Sequence, residues 1–169
     1  GFEPKAITWY EKAVLVDASK SKWFFELGLL YSNTNNYKKA VIAYNKAAEL
    51  GFIKGNDFNE NLGFAYIYSS DFDNGARLLD DLISRRPGDK ELIRDIATAF
   101  YDSRNYDKSL DYCQKLLEMD MKDGKALYQA GLCFQKKGMT EKGMQMCDKA
   151  IEMDPSLASL RSKKSLPGM

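Results

Sequence analysis

Leu27-Gly28-Leu29-Leu30-Tyr31 decides how this chain is read, because its frame returns three times. Leu27-Gly28 recurs as Leu62-Gly63, Ile96-Ala97 and Ala130-Gly131, and three residues after each small residue stands an aromatic: Tyr31, Tyr66, Phe100 and Phe134. Twelve residues beyond each small residue comes another, at Ala40, Gly75, Ser109 and Gly143. The spacings are 35, 34 and 34 residues. A fixed period of this size marks a repeat architecture. Average glycine usage is about 7%, so Gly at three of four equivalent places would arise by chance on the order of one time in a thousand. The one extra residue falls in Gly51-Phe52-Ile53-Lys54-Gly55, where a loop absorbs it.

Each unit divides into two helices. In the first, helix A is expected over about Ser21 to Asn33, with Phe24, Leu27, Gly28 and Tyr31 on one face. Ser32-Asn33-Thr34-Asn35-Asn36 is turn chemistry, and helix B follows from about Tyr37 to Leu50 with Ala40, Tyr44 and Ala47 facing back. Glycine inside a helix costs about 1 kcal/mol against alanine. Its return at Gly28, Gly63 and Gly131 therefore needs a packing reason, and close approach of two backbones supplies one. Pro87 and Pro155 stop helix B in two units.

These residues resemble the tetratricopeptide repeat: Phe24, Leu27, Gly28, Tyr31, Ala40, Tyr44 and Ala47 match it most fully, with Phe52 in place of the closing proline. Later units drift, carrying Leu79, Cys113 and Cys147 where Tyr44 stands, and Leu82 and Leu116 where Ala47 stands. The resemblance implies an all-α fold, a right-handed superhelical solenoid of antiparallel helix pairs, over about nine tenths of the chain. Ala6, Tyr10 and Ala13 repeat the helix B spacing 34 residues before Ala40, Tyr44 and Ala47, so residues 2–20 are expected to form an orphan helix B. Four full units follow at 21–55, 56–89, 90–123 and 124–157. Residues 158–169 are expected to give a short capping helix, begun by Leu157 and Leu160, and a tail that loses order at Pro167-Gly168.

The resemblance also implies function. Helix A lines the inner face of such an array, and a second stripe on each helix A should point into the groove. Its apolar members, Phe25, Leu29, Phe64, Ile67, Tyr68, Tyr101, Tyr128 and Leu132, with Arg94 beside them, are the residue types that anchor protein interfaces. Two outcomes stay open for each: exposure as a partner surface, or burial between neighbouring A helices. Tyr68, Tyr101 and Tyr128 are the members expected to be reachable. The basic clamp that some relatives use on acidic tails is incomplete, since Phe25 and Leu29 stand where Lys and Asn would be needed. The expected partner is thus a protein or peptide with apolar side chains, with an acidic group for Arg94. Trp9 and Tyr10 on the orphan helix lack the helix A that would cover them, which makes a homodimer through that end a second, architectural reading.

The rest of the sequence excludes more than it proposes. Twenty-five basic against 24 acidic residues leave a net charge of +1, not the footprint of a nucleic-acid binder. No apolar run is long enough to span a bilayer. Without histidine, triads and most catalytic zinc sites are out, and no phosphate-binding glycine loop is present, so neither enzyme nor cofactor is expected. Asp71-Phe72-Asp73-Asn74-Gly75 has its glycine one residue early for a calcium loop. Cys113, Cys133 and Cys147 occupy packing positions rather than a metal site, and Asp80-Asp81 lies on a solvated outer face. The start at Gly1-Phe2-Glu3-Pro4 looks trimmed, artificially or by removal of an export signal, which leaves a cytoplasmic and an exported location both open.

Overall fold

A computed structural model of the chain describes residues 2–162; the predicted loss of order at Pro167-Gly168 lies outside them. The chain divides into two units, Gly1–Pro87 and Gly88–Met169. The first holds α1 (Phe2–Val16), α2 (Ser21–Asn33), α3 (Tyr37–Glu49), α4 (Asn56–Tyr68) and α5 (Phe72–Arg85). The second holds α6 (Lys90–Asp102), α7 (Tyr106–Met119), α8 (Gly124–Lys136), α9 (Thr140–Met153), a 3-10 turn at Pro155–Leu157 and α10 (Ala158–Ser162). No strand occurs among the described residues. The pairs α2/α3, α4/α5, α6/α7 and α8/α9 pack as hairpins, and α2, α4 and α8 also rest on the helix before them, α1, α3 and α7.

Each hairpin turns the same way. The residues Asn35, Ser70, Arg104 and Gly138 adopt left-handed backbone, with φ of 59°, 71°, 63° and 85°. One residue later an amide closes back on the carbonyl of the recurring aromatic: Asn36 on Tyr31, Asp71 on Tyr66, Asn105 on Phe100 and Met139 on Phe134, at 2.7–2.9 Å. This is a Schellman-type end, which normally prefers glycine. Only one of the four turns has it. Asp71, in the segment whose glycine comes one residue early for a calcium loop, caps α5 by accepting from the Asn74 amide, and Gly75 is buried one turn inside that helix.

The recurring small residues lie where the two helices of a hairpin press together. A Cβ built on Gly28 would stand 2.4 Å from the Tyr44 ring, on Gly63 2.7 Å from Leu79, and on Gly131 2.7 Å from Cys147 Sγ. Gly143 faces the same contact from α9, where a Cβ would meet the Gly131 carbonyl at 2.4 Å. In the third hairpin the pair is Ala97 and Ser109, and the buried Ser109 hydroxyl donates to the Ala97 carbonyl at 2.7 Å. The polar group is satisfied, so its burial is tolerated.

The first unit's core gathers Leu27, Tyr31, Ala40, Tyr44, Ala47, Phe58 and Leu62. Tyr31 also ties α2 to α1, its hydroxyl donating to Glu11 Oε1 at 2.6 Å; burial and that carboxylate push its ionisation well above the usual tyrosine range. In the second unit Tyr128, Cys147, Ala150 and Leu157 form a cluster closed by the 3-10 turn, while Leu160 remains exposed. All three cysteines are buried thiols outside any disulfide, and burial pushes the Cys113 thiol up to about 12. Asp80 and Asp81 are exposed, with Asp81 paired to Arg85 one turn on.

Gly28→Leu forces a branched side chain into the Tyr44 ring and should cost about 1–3 kcal/mol through overpacking. Gln145→Leu, at an exposed position of α9, should stay within about 0.5 kcal/mol. Urea melts of the two variants beside the parent check both; equal losses would refute the assigned packing face.

Candidate partner-binding faces

Phe25, Leu29, Phe64, Ile67 and Tyr68 belong to the first unit, Arg94, Tyr101, Tyr128 and Leu132 to the second. Not all of them are reachable. Ile67 is fully buried against Gly75 and Tyr128 is only 6% exposed in the cluster around Cys147, so these two are packing residues. This corrects the expectation that Tyr128 faces solvent. Its ring turns toward the cap because Leu157 and Ala150 offer it apolar surface there.

The half-buried members are partly engaged. Phe25 stacks on Phe52 at 4.5 Å between ring centres and lies 5.9 Å from Phe58, with Tyr44 at 5.8 Å. Phe52, standing where the repeat's proline is missing, thus completes an aromatic nest. Leu29 packs against the same core. Tyr68 stacks on Tyr37 at 4.7 Å, beside a polar hollow of about 310 Å³ that includes Asn35, Asn36 and Ser69. Tyr101 meets Tyr106 edge-on at 5.5 Å, and Leu132 packs beside the Tyr128 cluster.

Arg94 was expected to await an acidic group of a partner; instead it has one within the unit. Its guanidinium donates twice to Asp123, at 3.0 and 3.2 Å, with Glu91 3.7 Å away. Sequence could not show this, because Asp123 lies 29 residues on and becomes a neighbour only when α8 stacks beside α6. Asp123 also caps α8, accepting from the Ala126 amide at 2.9 Å. Burial alone would raise its carboxyl, but the bonds from Arg94 and Ala126 more than offset that and hold it below the ordinary aspartate range. The Asp123 hydrogen bond likewise holds Arg94 charged.

Beside this pair lies a hollow of about 180 Å³, with Arg94, Thr98, Lys125 and Gln129 among the residues around it and Cys113 and Ala126 on its walls. The Gln129 side-chain nitrogen is buried and has no hydrogen-bond partner among the described residues. The first unit fills the same repeat position with Phe25, Tyr44 and Phe58, which correspond to Arg94, Cys113 and Ala126. That shrinkage down a column was the available signal for the hollow. Gln129 gave none, since its column is polar throughout (Glu26, Asn61, Asp95).

A second feature escaped the sequence reading. An apolar hollow of about 640 Å³ opens between α1, α2 and α3, with Phe24 and Leu27 on its wall and the exposed Leu15 and Ile42 at its rim. The signal was there: Leu15 stands where later B helices carry Glu49, Ser84, Glu118 and Glu152, and Ile42 where they carry Arg77, Asp111 and Gln145. Among the described residues no group of histidine, cysteine or carboxylate side chains is arranged to hold a metal, and no helix is long and apolar enough to cross a membrane.

Tetratricopeptide-repeat family models match residues 61–124, and residues 24–50 with 124–157. The chain belongs to the tetratricopeptide-repeat family. It is 28% identical over 129 residues to the human protein O-mannosyl-transferase TMTC1, a match that takes in 75% of this chain and 14% of that protein. The chain therefore spans about a seventh of that relative's length. Among crystal structures, that of YrrB, described as a tetratricopeptide-repeat protein with an unusual peptide-binding site, aligns over 96% of this chain and 84% of its own. Its TM-score is 0.63 at 24% identity. A structure of MamA covers 100% of this chain and 90% of its own, with a TM-score of 0.64 at 18% identity. Another, from Desulfovibrio magneticus RS-1, scores 0.65 at 15% identity, over 92% of this chain and 88% of that one. These likenesses establish the fold, all-α antiparallel helix pairs.

Asn caps a helix about as well as Asp, so Asp123→Asn removes only the charge held by Arg94, whereas Asp123→Ala removes the cap as well. The alanine variant should lose about 1–3 kcal/mol and the asparagine variant less. The aspartate's folded value lies below its unfolded one, near 3.9. Its stabilisation is thus complete above that value and disappears as pH falls through the lower folded one. Urea melts at pH 7 and pH 3 should show the gap between parent and Asp123→Asn closing in acid.

Proposed function

We propose that the chain is a protein-interaction module that holds a segment of a partner polypeptide on its A-helix faces. In the second unit the hollow beside Arg94 takes an apolar side chain of that segment, and an acceptor oxygen next to it receives the Gln129 amide. The observation that carries this reading is the buried, unpaired Gln129 nitrogen. An unsatisfied buried donor costs about 1–3 kcal/mol, so a site that retains one gains most from a ligand that satisfies it. Of the two cations in the lining Arg94 is held by Asp123 and Glu91, and Lys125 favours a carboxylate or backbone carbonyl as acceptor. In the first unit, the partly exposed rings of Phe25, Phe64 and Tyr68 support an apolar segment. YrrB carries a peptide-binding site on this fold, but at 24% identity that likeness speaks for the fold, and the peptide role here rests on this chain's own residues.

Random peptides displayed against the full chain supply ligands for the test. Affinities of the selected peptides are then measured by calorimetry for the parent, Gln129→Leu and Thr98→Arg. Each variant should bind at least about tenfold more weakly, a loss of about 1.4 kcal/mol or more, with the circular dichroism unchanged. Undiminished binding to both would remove the second unit's hollow from the reading.

A further inference from the structure

The hollow of about 640 Å³ between α1, α2 and α3 shares no residue with the faces assigned to a partner segment. Its apolar lining includes Leu15 from α1, Phe24 and Leu27 from α2, and Ile42 and Ala43 from α3. Trp9, 75% exposed, and the half-buried Tyr10 are not part of it. The next hairpin of the same unit shows that the repeat does not by itself produce such a space. In register, Leu15 becomes Glu49, Phe24 becomes Asn59 and Ile42 becomes Arg77, while Ala43 becomes the larger Leu78, which packs against the core. The polar bridge beside the hollow is kept in both places. Tyr31 donates to Glu11 at 2.6 Å, and Asn45, the counterpart of Glu11, donates to Tyr66 at 3.0 Å. The lining is what changes. Every later counterpart of Leu15 (Glu49, Ser84, Glu118, Glu152) and of Ile42 (Arg77, Asp111, Gln145) is polar and exposed.

Volume and charge together decide the occupant. Hollows that take small molecules run to about 300–1,000 Å³ and are mostly apolar with a few polar groups. The space beside Arg94, about 180 Å³, falls below that range, and this one lies inside it. The charges at its mouth are already matched. Lys39 lies 3.6 Å from Glu11, which also accepts from Tyr31, and Lys46 donates to Glu49 at 3.1 Å. Two cations against two carboxylates leave no net charge in the lining, and Asn45 is engaged by Tyr66. A charged group buried there would be desolvated without a free partner, which is unfavourable. The Tyr31 ring lies under Lys39 Nζ at 5.2 Å, so the wall presents mainly the aliphatic chains of Val14, Leu15, Leu27 and Ile42. We propose that this hollow is a binding site for an uncharged small molecule with an aliphatic hydrocarbon body.

Nile red, an uncharged dye whose emission rises and moves to the blue in apolar surroundings, is the probe. Titrated with the full chain it should show saturable binding, and decanol should displace it. Decanoate carries the same chain with a charge, and with both lysines held it should displace the dye at least about tenfold more weakly. Leu15→Glu combined with Ile42→Arg gives two exposed positions the residues of the next hairpin. That double variant should bind dye and decanol at least about tenfold more weakly, with the circular dichroism unchanged. Ala43→Leu, which copies Leu78 and fills the space, should weaken both as much; the exposed pair decides the matter if this buried variant does not fold. Absence of saturable binding by dye and decanol alike, or undiminished binding to the double variant, would overturn the inference. So would decanoate displacing the dye as well as decanol does. A dimer mass in light scattering that the double variant abolishes would give the hollow to a second copy of this chain and overturn it too.

Discussion

The chain depends on one steric arrangement: a side chain of helix B seated over a place on helix A where almost no side chain exists. Two backbones come close enough for a Cβ to be excluded at Gly28, Gly63 and Gly131. Dispersion and burial at that contact are non-directional, so nothing in them demands a particular partner residue. Tyr44, Leu79 and Cys147 all serve. What the contact does demand is spacing, because the small residue and its cover must meet in every hairpin. The period is therefore strict while the covering residue varies.

The turn between the helices obeys the same logic. Left-handed backbone at Asn35, Ser70 and Arg104 carries a steric cost that glycine at Gly138 avoids. The cost is tolerated because the following amide is held by the carbonyl of the aromatic that anchors helix A. Turn and core thus meet at one residue per repeat, Tyr31, Tyr66, Phe100 or Phe134. Substituting a loop residue changes a local preference; substituting the aromatic changes both.

This explains why the fold was legible and the candidate partner face was not. Helix spans, turns and the buried faces follow from residue identities within about one repeat, and Ser21–Asn33 and Tyr37–Glu49 lie within a residue of where periodicity placed them. The stripe of Phe25, Leu29, Phe64, Ile67, Tyr68, Arg94, Tyr101, Tyr128 and Leu132 depends on what the neighbouring hairpin places beside it, some thirty residues away. Tyr128 was sealed by the cap and Arg94 by an aspartate that starts the next A helix, whereas Ile67 faces Gly75 of its own hairpin, a contact within the reach of periodicity. Periodicity tells which side of a helix faces its own partner. It carries no information about the depth of the remaining sides.

Differences within a column are more informative for function than the column itself. Where the first hairpin and the α4 resting on it stack Phe25, Tyr44 and Phe58, the third hairpin and α8 bring together Arg94, Cys113 and Ala126, and the lost ring volume is left as a hollow. A core ordinarily relaxes into such a gap only in part. Here the helices cannot draw nearer, because Ala97 and Ser109 already fix their approach through a 2.7 Å hydrogen bond, and Asp123 holds α8 against α6 through Arg94. The repeat frame thus sets the distance between helices independently of what fills the space beside them. A side chain can shrink at one address without cost to the register of the rest. An array built this way can open a socket in a single hairpin while every other hairpin keeps its packing, and the residues to look for are those that depart from their own column.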